Sequence, residues 1–249
     1  GWRDMSIGLA VIGGTGALDL FEVVAQHHIE TSWGVPSSVP ATIQMGDQQA
    51  LFLSRHGEPH RIPPHRVDYR ANIAALAQLG ATRIIAINAV GSIDPALNPG
   101  DLVIPDQLID YTWGRIHSFS DSADQALHHI EFGEPFSAPL QRVVAKGASK
   151  AGIPVSSNGC YGVTQGPRLE TEAEIRRMAR DGCTLVGMTA MPEAALAREA
   201  GIDYASLCVV ANAAAGVSDK PISIDAIHRV LADAMRQVRA ILSSIEIED

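Results

Sequence analysis

Short runs dominated by β-branched and apolar residues alternate with helix-like segments along nearly the whole chain, and this alternation limits the possible folds more than any other feature. Ile7 to Ile12, Arg83 to Ala89 and Tyr204 to Ala211 have the length and composition of strands that are covered on both faces. The order predicts an α/β fold, with a mixed and largely parallel central β-sheet flanked by helices. The predicted helices are Tyr69 to Leu79, Pro139 to Ala151, Thr171 to Arg180, Pro192 to Ala200 and Ser223 to Ile245.

Other segments complete this pattern. Thr42 to Gly46 and Gln49 to Ser54 flank a polar dipeptide and predict a hairpin. The stretch from Tyr111 to Pro135 is polar and aromatic with no usable period, which predicts a long functional loop. The remaining predicted strands are Leu102 to Pro105, Val155 to Val163 and Leu185 to Met188.

Size and composition predict a single domain. The chain has 249 residues, of which 46% are hydrophobic and 19% charged. This length favours one large α/β domain over two small ones, and we place it at residues 5–249. Residues 1–4 precede Met5 and match nothing downstream, so we interpret them as an added remnant or a misread start.

Charge and cysteine content argue against several classes of protein. The formal net charge is −9 at pH 7, and the sequence has no Lys/Arg cluster that would bind nucleic acid or an anionic membrane surface. Cys160, Cys183 and Cys208 are odd in number and far apart, which favours a reducing compartment over a disulfide framework. No apolar run reaches the roughly 18 residues of a membrane span, and no signal pattern is present, so we expect a cytoplasmic protein.

The loops that follow predicted strands are the candidate site, because ligands of such sheets bind beyond the carboxyl ends of the strands. These loops are Gly13 to Gly16, Arg55 to Gly57, Asn88 to Ser92, Gly166 to Thr171, Met188-Thr189 and the segment from Asn212 onward.

The first two loops suit an anion. In Gly13 to Gly16 the glycines allow backbone N–H groups to converge, and the Thr15 hydroxyl adds a donor. A tight turn after a buried strand explains these glycines equally well. Arg55 and His56 emerge together at the end of a strand, and an arginine can hold a phosphate through two hydrogen bonds.

His56 has a second interpretation as a metal ligand. Gly57 and Pro59 argue against a single helical face for these side chains, so we favour no metal site. The alternative, hydrolase-like cluster would consist of His56, Glu58, His60 and His65.

Two further polar residues have two interpretations each. Glu170 stands just before a predicted helix, where a carboxylate is stabilised by the helix dipole without any further role. Asn212 ends an apolar strand and can be a turn-former or a reader of a base, since its amide offers both a donor and an acceptor.

Seven motifs in order resemble the trimeric purine nucleoside phosphorylase and methylthioadenosine phosphorylase family, and the match runs from about Ile7 to Ile245. Their order and their coverage of nearly the whole chain make chance a poor explanation. The motifs are Ile12 to Gly16, Ser54 to Gly57, Val67 to Asn72, Asn88 to Ser92, Gly100 to Pro105, Gly166 to Thr171 and Gly187 to Glu193.

The resemblance implies phosphorolysis, in which phosphate attacks C1′ of a nucleoside as the purine leaves. His56 and Asn212 are implied to be catalytic, with Asn212 donating to N7 of the purine, and no metal or organic cofactor besides inorganic phosphate as co-substrate is expected. The implied phosphate-binding residues are Thr15, Arg55, His56, Asn88, Ala89 and Thr189, and the implied substrate-binding residues are Leu169, Glu170, Met188, Asn212, Ala214, Ile224, Ile227 and His129.

The same resemblance narrows the substrate. Members that prefer 6-amino purines have Asp and Ser at the positions of Asn212 and Glu170, so this chain favours a 6-oxopurine. Members that bind a 5′-hydroxyl tend to place a His where this chain has Ile224, with Ile227 one turn on. The expected substrate is S-methyl-5′-thioinosine, which phosphate would cleave to hypoxanthine and 5-methylthioribose 1-phosphate. Inosine or guanosine, and methylthioadenosine, are the alternative substrates within the family.

The resemblance also implies a homotrimer, because the segment of the family that corresponds to His129 reaches the sugar pocket of a neighbouring subunit. Two classes outside the family stay open. A metal-dependent hydrolase would rest on the histidine cluster from His56 to His65. A non-catalytic nucleoside-binding protein would keep the pockets without cleaving the substrate.

Overall fold

The structure is a computed structural model, which describes residues 7–14, 17–123 and 126–247. Its strands are β1 (Leu9–Gly13), β2 (Glu22–Gln26), β3 (Ala41–Met45), β4 (Gln48–Ser54), β5 (Arg83–Ser92), β6 (Leu102–Ile104), β7 (Gln107–Asp110), β8 (Ser156–Ser157), β9 (Cys160–Val163), β10 (Leu185–Gly187) and β11 (Asp203–Ala213). Its α-helices are α1 (Tyr69–Gln78), α2 (Ala138–Ala151), α3 (Glu172–Arg180), α4 (Glu193–Glu199) and α5 (Ile224–Ser243), and short 3₁₀ helices cover Leu18–Leu20 and Pro64–Arg66.

The strands form one mixed sheet in which β5 is the branching strand. The sheet has the order β2-β3-β4-β1-β5-β10-β9-β7, while β11 pairs with the other edge of β5 and leads to β6 and β8. Strand β1 pairs in parallel with β5 only as far as Ala86, and β10 pairs with it in antiparallel only at Gly91 and Ser92. The edge of β5 between these points has no strand partner among the described residues, so the sheet opens there.

Helices cover both faces of this sheet, as predicted. Helices α1 and α4 pack on one face through residues such as Ile73 and Leu196. Helices α2 and α5 pack on the other face, where Val144 and Val238 are fully buried. Burial of such side chains stabilises the fold by about 1.5–3 kcal/mol each. No helix in the described part of the chain has the length and apolar character that a membrane crossing requires.

Most of the predicted elements are confirmed. The hairpin pairs Ala41 with Phe52 in antiparallel, and residues 111–137, leaving aside 124 and 125, contain no helix or strand. Helix α3 begins with a reciprocal cap, in which Thr171 Oγ1 accepts from the Glu174 N–H at 3.0 Å and Glu174 Oε1 accepts from the Thr171 N–H at 2.8 Å. This cap satisfies two amide groups that the helix would otherwise leave unpaired.

Four details differ from the predictions. Strands β2 and β7 were not predicted, and β2 lacks a signal because all five of its residues are exposed at the sheet edge. The predicted strand from Val155 to Val163 is two strands, which are separated where Asn158 adopts a left-handed φ of 72°. Pro192 is the residue before α4 rather than its first helical residue. Strand β11 continues to Ala213, beyond its predicted end.

Candidate active site

A cavity of about 280 Å³ lies where β5 separates from β1 and β10. Ile87 and Gly91 of β5 are on its wall, together with Gly14 after β1 and Gly187 at the end of β10. The structure therefore brings the predicted strand-end loops together at the opening in the sheet. The predicted site residues on its wall are Arg55, His56, Ala89, Leu169, Glu170, Met188, Thr189, Asn212, Ala214 and Ile227.

Arg55 is held by the buried carboxylate of Glu193, to which the sequence analysis gave no role. Its Nε donates to Glu193 Oε2 and its Nη2 to Glu193 Oε1, both at 2.7 Å, and Tyr204 donates its hydroxyl to the same Oε1 at 2.7 Å. The side chains of Arg55 and Glu193 are 1% and 0% exposed. Burial disfavours the charged guanidinium, but the ion pair with Glu193 outweighs this and raises the pKa of Arg55. We call Arg55, Glu193 and Tyr204 the Arg55 cluster.

Glu193 takes the Nε–Nη2 edge of the Arg55 guanidinium, so the expected bidentate pair with phosphate would have to use the remaining N–H groups of Nη1 and Nη2. The paired edge of the guanidinium already binds Glu193, and Nη1 donates to the Ile87 carbonyl at 3.2 Å. Each Nη group carries two N–H donors, so one N–H on each remains for an anion in the cavity. Because Glu193 neutralises the guanidinium, an anion would depend on neighbouring donors as well.

His56 is neutral in this structure and its tautomer follows from its contacts. Its Nδ1 lies 2.8 Å from the Ile62 carbonyl, which can only accept, so Nδ1 carries the proton. Burial, together with the adjacent charge of Arg55, lowers the pKa of His56 to about 4. Nε2 is therefore an unprotonated acceptor at neutral pH. The His60 ring stacks on the His56 ring, with 4.5 Å between centroids.

Asn88 does not line the cavity, which corrects its expected contact with phosphate. It is 1% exposed, its Nδ2 donates to Thr189 Oγ1 at 2.7 Å, and its Oδ1 accepts from Ser206 Oγ at 2.6 Å. The Thr189 oxygen is thus an acceptor toward Asn88, and its own hydroxyl proton is available to a ligand in the cavity. Asn88 acts by orienting Thr189.

Asn212 owes its position to a bulge in β11. The register of β11 on β5 shifts between Val210 and Asn212, so that Asn212 pairs opposite Gly91. Such a bulge re-aims the side chains that follow it, and Asn212 is on the cavity wall. Its Nδ2 donates one hydrogen to the Ala213 carbonyl at 2.8 Å, which fixes the amide and leaves its second N–H and Oδ1 for a ligand.

The Glu170 carboxylate is held in place by a hydrogen bond from Thr164. Thr164 Oγ1 donates to Glu170 Oε2 at 2.7 Å, so Oε1 is the oxygen that remains for a ligand. Next to it, Gly166 has a φ of 60° and lies so close to Met188 Sδ that a side chain at Gly166 would collide with it. This contact packs the Glu170 segment against the Met188 segment.

The residues expected around the 5′ end of a sugar are only partly on the wall. Ile227 is there, but Ile224 is not: it is the first residue of α5, and 60% of its surface is exposed. Ile222, in the preceding loop, is on the wall instead. His129 is exposed and does not line this chain's cavity, and Thr15 lies outside the described residues.

Within the described ranges, no group of three or more His, Cys, Asp or Glu side chains could hold a metal ion. The candidates from His56 to His65 instead have separate contacts. His56 binds a carbonyl and stacks on His60, and Glu58 accepts from the Ser54 hydroxyl at 2.5 Å.

Glu193, Tyr204, Ser206, Thr164 and Ile222 are site residues that sequence reasoning missed. One signal was available for Glu193, which is the only charged residue in the apolar run from Met191 to Ala197. A lone carboxylate in such a run needs a buried cationic partner. The other residues carry no comparable sequence signal.

Comparisons with known proteins identify the family of this chain. A family model described as the phosphorylase superfamily matches residues 9–245. A Xanthomonas campestris protein named probable S-methyl-5′-thioinosine phosphorylase is 54% identical over 216 residues, which cover 86% of this chain and 86% of that protein. The 6-oxopurine nucleoside phosphorylase of Pyrococcus furiosus is 40% identical over 249 residues, covering 95% of this chain and 91% of that protein.

A solved structure is also similar. Methylthioadenosine phosphorylase from Schistosoma mansoni, in complex with adenine, superposes with a TM-score of 0.89 at 32% identity. The match covers 96% of this chain and 90% of that one.

Proposed function

This chain belongs to the phosphorylase superfamily, and on that premise we propose that it cleaves S-methyl-5′-thioinosine with phosphate to hypoxanthine and 5-methylthioribose 1-phosphate. One observation carries the proposal. A single cavity combines anion donors, Arg55 and Thr189, with two groups suited to a 6-oxopurine, Glu170 and Asn212. The relative from X. campestris supports the same substrate.

The anion donors would hold phosphate against C1′. A phosphate oxygen forms a bond to C1′ as the C1′–N9 bond breaks, and the bonding electron pair leaves with the purine. The Thr189 hydroxyl and the remaining N–H groups of Arg55 donate to phosphate oxygens. Because His56 is neutral, its Nε2 accepts from the P–OH of the phosphate. The negative charge of the phosphate stabilises the positive charge that develops on the sugar.

The purine base would bind to one charged side chain, Glu170, and one neutral side chain, Asn212. Oε1 of Glu170 accepts from N1–H, which a 6-oxopurine has and adenine lacks. The second N–H of Asn212 donates to N7, and this hydrogen bond strengthens as negative charge develops on the leaving purine. Thr164 and the Ala213 carbonyl fix these two side chains before substrate binds, which reduces the reorganisation needed in the transition state.

The apolar wall would select the 5′ group. Ile222 and Ile227 suit a thiomethyl group and offer no hydrogen bond to a 5′-hydroxyl. Met188 would lie along the ribose. No metal or organic cofactor takes part in this scheme, in which inorganic phosphate is the co-substrate.

The proposal includes a homotrimer in which His129 of one subunit reaches the sugar pocket of the next. The solvent exposure of the His129 and Ile224 side chains in the single chain supports this assembly. Light scattering at assay concentration should give three times the chain mass of 26.4 kDa. A fully active monomer would contradict the assembly without affecting the proposed reaction.

The reaction is tested by hypoxanthine release from S-methyl-5′-thioinosine with and without phosphate, with inosine, methylthioadenosine and adenosine alongside. We expect release only with phosphate and the highest kcat/KM for S-methyl-5′-thioinosine. Release at the same rate without phosphate would indicate a hydrolase, and binding without release would indicate a nucleoside-binding protein.

A second candidate, a 6-oxopurine nucleoside phosphorylase that acts on inosine or guanosine, is favoured by one observation. The P. furiosus relative of that name matches nearly the whole chain. Equal efficiency with inosine and S-methyl-5′-thioinosine in the same assay would select it, and a preference for methylthioadenosine would select the third alternative.

A further inference from the structure

The Arg115 side chain donates hydrogen bonds mainly to oxygens of two segments beside the cavity, and it also donates to the Tyr69 hydroxyl at 3.4 Å. It belongs to the stretch of residues 111–137 that joins β7 to α2. Nη1 donates to the Met188 carbonyl at 2.8 Å and to the Met191 carbonyl at 2.7 Å. Nη2 donates to the Gln165 carbonyl at 2.8 Å and to the Thr164 carbonyl at 3.3 Å, while Nε donates to Gln165 Oε1 at 3.1 Å.

These acceptors belong to two segments, one that leads to Glu170 and one that contains Met188 and Thr189. Thr164 and Gln165 precede Glu170, and Thr164 is also the residue that braces the Glu170 carboxylate. Met188 precedes Thr189 on the cavity wall. The guanidinium is a rigid planar fork, so it fixes the spacing between the carbonyls that it joins. The contact of Gly166 with Met188 Sδ is a second link between the same segments.

We propose that Arg115 is a positioning residue that sets the distance between the purine-binding segment and the ribose- and phosphate-binding segment. The inference rests on the proposed function, in which the C1′–N9 bond spans these two segments. Arg115 is not on the cavity wall, so it acts through the residues that it joins. Its loss should therefore lower turnover more than the affinity for phosphate alone.

The loop that carries Arg115 has other anchors, so removing this side chain should not release it. Glu199 accepts from the Ser118 hydroxyl at 2.9 Å and from the Phe119 N–H at 3.1 Å. Arg70 donates to Asp121 at 3.0 Å. Arg70 is a matched control, because it anchors the same loop through a guanidinium yet contacts neither cavity segment in the described structure.

The test compares Arg115→Met and Arg115→Lys with Arg70→Met and the unmodified protein. Initial rates with S-methyl-5′-thioinosine give kcat, calorimetry gives the phosphate dissociation constant, and thermal melting reports folding. We expect Arg115→Met to lose roughly 30- to 100-fold in kcat, since misplacement by about 1 Å can cost that much. Arg115→Lys keeps the charge without the fork and should lose about 10-fold or more. Phosphate affinity should stay within about 3-fold in both, and Arg70→Met should keep its kcat within about 2-fold.

The outcomes separate this inference from the proposed function. If the unmodified protein releases no hypoxanthine with phosphate, the proposed function fails. If it does, and both Arg115 variants keep its kcat, the positioning role is overturned. An equal loss in Arg70→Met, a parallel loss of phosphate affinity, or an Arg115→Lys variant that does not fold would also overturn it, because each would indicate general damage to the loop or the cavity.

Discussion

The Arg55 cluster and the start of α5 contribute to one cavity, yet a single chain completes the first and leaves the second open. Arg55 and Glu193 are almost fully buried and hydrogen-bonded to each other, whereas Ile224 is 60% exposed. The part of the cavity assigned to phosphate is therefore organised by the fold itself. The part assigned to the 5′ group depends on what covers it, which in the proposed trimer is a neighbouring subunit.

This difference predicts that substitutions in the Arg55 cluster affect both stability and turnover. Substitutions at the start of α5 should spare stability and should change substrate choice only where the side chain lines the cavity. A buried ion pair that loses one partner leaves an uncompensated charge in the core. An exposed isoleucine that is replaced leaves nothing buried without a partner.

The largest effect is expected for Arg55→Ala. The change removes donors to phosphate and leaves Glu193 as a buried, unpaired carboxylate. Turnover should fall by orders of magnitude, the phosphate KM should rise, and the free energy of unfolding should fall by about 3–5 kcal/mol. Initial rates and urea unfolding measure these changes, with Arg70→Ala as a partly exposed arginine control. An Arg55→Ala protein as stable as the unmodified one would show that the cluster contributes nothing to the fold.

The next effect concerns Asn212, which lies on the cavity wall. Asn212→Asp places a carboxylate against the 6-oxo group and should lower kcat/KM for S-methyl-5′-thioinosine by about 100-fold. The relative rate on methylthioadenosine should improve, because its 6-amino group can donate to the new carboxylate. Glu170→Ala should cost the 6-oxo substrate more than the 6-amino one. An unchanged preference in Asn212→Asp would mean that the base binds elsewhere in the cavity.

The sequence predicted the parts of this fold and site that depend on local pattern. Apolar runs, turn residues and the Thr171 cap are signals within a few residues of one another, so the strand-end loops and most helices were found. Glu193 was missed because its partner Arg55 is 138 residues away. The orientation of the Asn88 side chain depends on Thr189 and Ser206, which lie on other segments. The bulge before Asn212 depends on the pairing of β11 with β5. Neither feature has a signal in the residues next to it in the sequence.

The open side of the cavity allows a paired test of the 5′ group. The unmodified protein should prefer S-methyl-5′-thioinosine to inosine by about 10- to 100-fold in kcat/KM, since in the covered site of the proposed trimer a 5′-hydroxyl would be buried without a partner at a cost of roughly 1–3 kcal/mol. Ile227→His should narrow this gap by supplying a partner. Ile224→His is the matched control and should leave the ratio nearly unchanged, because Ile224 is off the cavity wall. The opposite ranking would show that assembly brings Ile224 into the site.

The last effect is a pH dependence that belongs to the closed side of the cavity. The pKa of His56 is lowered to about 4 in the folded protein, from 6.5 for an ordinary histidine. Between these values the unfolded chain binds more protons at this residue, so His56 makes stability fall as the pH drops from 6.5 toward 4. The contribution is at most about 1.4 kcal/mol per pH unit.

His56→Asn should flatten this part of the stability curve, because an asparagine amide does not titrate yet can still donate to the Ile62 carbonyl. Urea unfolding at several pH values between 4 and 7 measures the slope, and His28→Asn is the exposed control. Equal slopes for His56→Asn and the unmodified protein would mean that the imidazole is not neutral in the folded state, and phosphate would then meet a positively charged His56 rather than an acceptor.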